Sequence, residues 1–170
     1  MSTSASTPTN TSPRPSTHDV DEHYMRLAID ASRAAVAEGN FPYGATLVSA
    51  DGKTVHVSRN SQVTTQDCTG HAEVVLVREA AQAHGPAVLQ GATVYASGEP
   101  CAMCSGAMFW GGVSRVVYAM SATTINELGG PPWMKSRIHD VLADASRPMT
   151  IEGPILEEEA TRVMREFLAR

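Results

Sequence analysis

His71-Ala72-Glu73 and Pro100-Cys101-Ala102-Met103-Cys104 place one imidazole, two thiols and one carboxylate within a 170-residue chain at spacings that suit a metal centre. Cys101 and Cys104 stand three residues apart, so on a helix they share one face. In a first turn they also sit at the positive end of the helix dipole, which favours thiolates. Two thiolates and one neutral imidazole roughly balance Zn²⁺. Three protein ligands leave a fourth position for water, the arrangement of catalytic rather than structural zinc. Zinc lowers the pKa of such a water from ~15.7 towards ~7. Glu73 is then free to carry a proton from that water to a leaving group, a role worth ~10²–10⁴ in rate.

The spacing of His71 and Glu73 constrains their backbone. Residues two apart on a regular helix point about 200° apart. Both can serve one site only if His71 stands at the irregular start of a helix, and Thr69-Gly70 ahead of it permits such a start. A competing pattern is also present. Cys68 lies three residues before His71, so Cys68-x-x-His71 with Cys101-x-x-Cys104 spells four ligands of a closed structural site. The two pairs are about thirty residues apart, longer than zinc-ribbon spacing, and a closed site would leave Glu73 without a role.

An H-x-E motif followed by P-C-x-x-C is the signature of zinc deaminases that act on nucleobases. Phe41-Pro42-Tyr43-Gly44-Ala45, Asn60 and Ser105-Gly106-Ala107-Met108 extend the match. From roughly Asp19 to Ala119 the chain resembles the cytidine/deoxycytidylate deaminase superfamily, in the branch of bacterial tRNA-adenosine deaminases, guanine deaminases and fungal-type cytosine deaminases. The resemblance implies a three-layer α-β-α fold with a central mixed five-stranded sheet. It implies one Zn²⁺ per chain on His71, Cys101 and Cys104, with Glu73 as the catalytic acid-base group. The superfamily has no ligand at the position of Cys68. Asn60 would hydrogen-bond the base or its sugar, and the Ala72 backbone N–H would meet the carbonyl edge. Phe41, Pro42 and Trp110 are candidates for apolar walls, with ordinary core packing as the other reading. Glu99, ahead of Pro100, would brace the loop.

The implied reaction is hydrolysis of an amino-bearing ring carbon by zinc-bound hydroxide, with release of ammonia. The implied assembly is a homodimer. Guanine deaminases of this kind carry acidic residues after the fourth strand, where this chain has Leu128-Gly129-Gly130-Pro131-Pro132-Trp133, so the substrate stays open among guanine- and cytosine-like bases and nucleosides. Trp133 could stack on a base, close a lid or anchor a loop. A tRNA-adenosine deaminase and a non-catalytic zinc-stabilised module are the alternatives.

The elements that must position these groups read as follows. Thirteen of the sixteen residues from Ser2 to Thr17 are Ser, Thr or Pro, so residues 1–18 are expected to form a disordered tail ahead of one domain over residues 19–170. Asp19 with Glu22 offers a capping box for a helix carrying Val20, Tyr24, Leu27, Ala31 and Ala34 on one stripe and stopping near Gly39. Ala45–Ala50 and Lys53–Ser58 read as strands joined at Asp51-Gly52, a two-residue hairpin signal. A polar segment then runs to Gly70. Ala72–His84 is a helix stopped by Gly85-Pro86. Ala92–Ser97 is a strand, Cys101–Trp110 a helix and Ser114–Ala119 a strand. A helical turn at Thr123–Glu127, a helix over Met134–Ala145, a short strand at Met149–Glu152 and a C-terminal helix with Leu156, Ala160, Val163 and Phe167 on one face complete the pattern. Helices of this length between strands point to an α/β fold with crossover connections.

Composition narrows the partners. Apolar residues make up 42% and charged residues 18%, as in globular domains. The net charge is −5 with a pI near 5.6, and the 13 Lys and Arg form no basic run. Proteins that grip a nucleic-acid backbone need clustered cations, so a small-molecule heterocycle is favoured over nucleic acid. Three cysteines cannot all pair, which reads as a reduced, cytoplasmic chain. No 18-residue apolar run offers a membrane span, and the N-terminus lacks the apolar core of a secretory signal.

Overall fold

A computed structural model describes residues 16–129 and 134–170, and in it Ser16 rather than Asp19 opens the first helix. The Ser16 hydroxyl accepts the Asp19 N–H at 3.2 Å, and the Asp19 carboxylate accepts the Ser16 N–H at 3.1 Å. The reciprocal box closes one turn earlier than expected, while Glu22 turns to Arg26 at 3.1 Å. Helix α1 therefore runs Thr17–Ala37, and the rest of the expected tail, residues 1–15, lies outside the described residues.

Strands β1 (Gly44–Val48) and β2 (Val55–Arg59) form the antiparallel hairpin, but its loop is wider than the expected Asp51-Gly52 turn. The Ser49 N–H bonds the Thr54 carbonyl, extending the ladder past Val48 and Val55. The Asp51 carboxylate accepts the Ser49 hydroxyl and the Lys53 N–H, so its side chain shapes a four-residue loop in place of a tight turn. A short helix α2 (Gln62–Thr65) sits within the polar segment that runs to Gly70. Helix α3 spans Ala72–His84 as its stop signal predicts, followed by a 3-10 turn at Pro86–Leu89. Then come β3 (Thr93–Gly98), α4 (Ala102–Gly111), β4 (Arg115–Met120), α5 (Ala122–Glu127), α6 (Ile138–Val141), β5 (Thr150–Glu152) and α7 (Glu157–Leu168).

The helix expected over Met134–Ala145 is mostly not one: only Ile138–Val141 is helical. Arg137 ahead of it is extended, and its guanidinium is engaged by Glu99, so a tertiary ion pair overrides the apolar periodicity of the segment.

The sheet order is β2-β1-β3-β4-β5, with β1 antiparallel to both neighbours and β3, β4 and β5 parallel. This is the mixed five-stranded sheet that the resemblance implies. Alternation along the strands divides the core into two layers. Tyr95, Val117 and Ala119 pack with Met25 and Ile29 of α1 and Val163 and Met164 of α7. Leu47, Val94 and Val116 pack with Leu76 of α3, Met108 of α4 and Ile138 of α6. On the α1 side β1 lies unusually close: a Cβ on Gly44 would fall 2.2 Å from the Ala28 carbonyl oxygen, so only glycine fits. On the other side α3 and α4 pack side by side, with α4 starting just beyond the end of β3. Their N-termini meet at the carboxyl edge of the parallel strands, where α/β sheets place their sites.

Candidate metal centre and cleft

His71 is the residue ahead of the first turn of α3, with φ −64° and ψ 144°. This extended conformation is what the two-residue spacing demands, because it swings the imidazole back over the helix start beside Glu73. Cys101 holds the same place on α4, with φ −71° and ψ 175°, and Cys104 follows in the first turn. Pro100 pre-sets the chain for this entry. The two helix starts thus bring one imidazole and two thiols together.

The three donor atoms form a nearly equilateral triangle. Cys101 Sγ and Cys104 Sγ are 3.5 Å apart, and each lies 3.6 Å from His71 Nδ1. Tetrahedral zinc with Zn–S of ~2.3 Å and Zn–N of ~2.0 Å requires about 3.8 Å between sulfurs and about 3.6 Å from sulfur to nitrogen. The donor set and its spacing therefore fit one Zn²⁺. Among the described residues this is the one His/Cys/Asp/Glu group in position to hold an ion, and Cys68 is exposed and not part of it. The four-ligand alternative thus lacks its fourth donor.

Electrostatics follow from the crowding. A hydrogen bond from Cys104, helped by His71, pulls the Cys101 thiol down to about 4. Cys104 is pushed the other way by that same bond and by burial, and the contact with Cys101 raises the pKa of His71. Glu73 is 6% exposed, with Oε2 3.4 Å from Cys104 Sγ. Burial, then the Cys101 charge, lifts its carboxyl to about 7.

Tyr43, Asn60, His71, Glu73, Glu99 and Cys101 line a small cleft. Asn60 is 1% exposed and serves the local turn as well: its Oδ1 accepts the Gln62 N–H at 3.1 Å and its amide donates to Gln62 Oε1 at 2.8 Å. Ala72 is fully buried as the first residue of α3. Phe41 and Trp110 do not line the cleft. The Phe41 ring packs at 6.0 Å against Phe167 of α7, on the far side of the sheet from α3 and α4. Trp110 is 85% exposed near the end of α4, where the helical turn carries it away from the face that holds the cysteines. Trp133 lies outside the described residues.

Tyr43 and Glu99 line the cleft without having been read as contacts, although Tyr43 stands inside a quoted motif and Glu99 directly precedes one. The Glu99 side chain is 1% exposed and paired with Arg137, a residue that nothing in the local sequence marks. This partner explains how Glu99 braces the loop.

Residues 18–120 match the cytidine and deoxycytidylate deaminase zinc-binding region. A probable cytosine deaminase of Schizosaccharomyces pombe is 36% identical over 144 residues, covering 82% of this chain and 87% of its own. A tRNA-specific adenosine deaminase of Bacillus subtilis is 40% identical over 98 residues, 58% of this chain and 60% of its own. The solved structure of a guanine deaminase from Nitrosomonas europaea superimposes with a TM-score of 0.75 over 99% of this chain and 97% of that one, at 21% identity.

Proposed function

We propose, from the premise that this chain belongs to the cytidine and deoxycytidylate deaminase family of zinc-binding C–N hydrolases, that it deaminates a free amino-bearing nucleobase or nucleoside, guanine- or cytosine-like. The observation that carries the reading is the Glu73 carboxylate, buried in the wall of a cleft onto which His71 and Cys101 also open.

Zinc, when held by His71, Cys101 and Cys104, supplies the Lewis acidity that makes water a nucleophile near neutral pH. An ion held there would also favour ionised Glu73, against the effect of burial. Glu73 then takes a proton as the water oxygen adds to the amino-bearing ring carbon. It passes that proton to the adjacent ring nitrogen, then carries the remaining hydroxyl proton to the exocyclic nitrogen; the C–N bond breaks, and ammonia leaves a ring carbonyl behind. Asn60 and Tyr43 flank the base and limit its orientation.

The reading includes a cytoplasmic homodimer that does not act on nucleic acid. Its support is three free cysteines, an exposed Met103 and Trp110 on one helix, and a net charge of −5 without a basic run. Sedimentation of the zinc-loaded protein tests the dimer, and a monomer at micromolar concentration removes it. The substrate is tested by ammonia release from purines, pyrimidines, pterins, triazines and their nucleosides, with tRNA alongside. Release from a free base or nucleoside is expected. The Bacillus subtilis relative favours one other outcome, a response confined to tRNA, which would replace this substrate class with tRNA adenosine. Bound zinc without ammonia from any of them would make the protein a non-catalytic module.

A further inference from the structure

Glu99 is a carboxylate that the chemistry above does not use, yet it is almost wholly buried and lines the cleft. It stands two residues before Cys101, with Pro100 between them, so its position is passed to Cys101 through a stiff link. Its backbone N–H is tied to the Met120 carbonyl at the end of β4, at 2.7 Å. Its carboxylate accepts Arg137 Nε at 2.7 Å on one oxygen, and Arg137 Nη2 together with the Ala122 N–H on the other. Arg137 reaches further: Nη1 donates to Thr123 Oγ1 at 3.0 Å, and its backbone N–H donates to Asp140 at the start of α6. One guanidinium therefore joins the loop that presents Cys101, the first turn of α5 and the entry to α6.

We propose that Arg137 is a positioning residue for the metal centre, acting through Glu99 to hold the loop of residues 99–101 where Cys101 completes the donor triangle. The proposal rests on the zinc-deaminase reading of the site. The planar fork is suited to this because it fixes a carboxylate in both distance and orientation, which a lysine's point charge does not. Residues that orient metal ligands from behind typically change metal affinity or activity 10–100-fold when removed. An ion pair remote from the metal ligands has no such reach, and the same molecule supplies one for comparison. Arg115 binds Asp21 at 2.7 Å and also pairs with Glu152, on the opposite layer of the fold.

Zinc affinity by chelator competition, together with thermal stability, separates the two roles and does not depend on knowing the substrate. Arg137→Ala is expected to weaken zinc binding roughly 10–100-fold. Arg137→Lys, which keeps the charge and protects folding, is expected to weaken it less than Ala does but measurably. Arg115→Ala should lower the melting temperature and leave zinc affinity unchanged. If both Arg137 variants bind zinc as tightly as wild type while melting lower, Arg137 is only a structural ion pair and the proposal fails. A wild-type protein that binds zinc but releases no ammonia would instead overturn the deaminase reading and leave the affinity comparison standing.

Discussion

At the scale of single residues, the chemistry depends on which groups hold the ion and which move protons, and these are separable by substitution. Glu73 is close to Cys104 but is no part of the donor triangle, so Glu73→Gln should retain one zinc per chain. It should lose ~10²–10⁴ in ammonia-release rate, the span of a general acid-base group. Cys68 is exposed and outside the triangle, so Cys68→Ser should change neither zinc content nor rate. Metal analysis beside a rate assay checks both, and zinc lost from the Cys68 variant would revive the closed four-ligand site. This part of the molecule was legible in the sequence because ligand chemistry restricts residue type and backbone together. The 200° conflict between His71 and Glu73 requires an extended residue at the helix start, and ψ of 144° at His71 is that residue. Side chains chosen for being large and apolar were less legible. Phe41 and Trp110 are not among the residues lining the cleft: the Phe41 ring packs on Phe167 and Trp110 is exposed, placements that depend on how whole elements pack rather than on local sequence.

At the scale of elements, the boundaries that carry their own punctuation were readable. Gly85-Pro86 ends α3 at His84, because a residue at positive φ followed by one lacking an N–H cannot continue a helix. The entry to α6 has only a local Asp140 carboxylate accepting the Arg137 N–H; what anchors it to the fold is Arg137 binding Glu99 thirty-eight residues away, which no local pattern announces. Gly44 is the reverse case, a small residue whose reason is tertiary. Its Cα faces the backbone of α1, and the added methyl of Gly44→Ala would lie 2.2 Å from the Ala28 carbonyl oxygen and 2.5 Å from the Ser32 nitrogen. Backbone atoms cannot turn aside as a side chain can, so α1 must lift from β1. The expected loss is roughly 2–4 kcal/mol of unfolding free energy in denaturant titration at fixed zinc, in the range of overpacking and strain effects. A loss below about 0.5 kcal/mol would mean that α1 accommodates the methyl and that the close approach is not a constraint.

At the scale of the whole molecule, the order β2-β1-β3-β4-β5 follows from pairings that strand patterns alone do not encode: alternation gives the buried face of a strand but not its neighbour. The recognised motif implied the sheet, and long-range side chains lock it. Arg115 at the start of β4 binds Asp21 of α1, Tyr95 of β3 through its hydroxyl, and Glu152 of β5, so one cation spans a helix and three strands. The hydrogen bonds from Arg115, aided by Tyr95, hold the Asp21 carboxyl below its ordinary value of 3.8. A carboxyl with a depressed folded-state pKa gives stability that is complete above its unfolded pKa and disappears as pH falls through the lower folded value. The free-energy difference between wild type and Asp21→Asn should therefore be constant above about pH 5, at roughly 1 kcal/mol given the partial exposure of the pair. It should shrink once the pH drops below 3.8. Loss of zinc in acid affects both proteins and cancels in that difference. Denaturant unfolding of the two at matched zinc from pH 7 down to 3 measures it. A difference that instead widened in acid would show that Asp21 is more easily protonated in the folded protein than in the unfolded chain, and Arg115 would then not be the cation that ties α1 to the sheet.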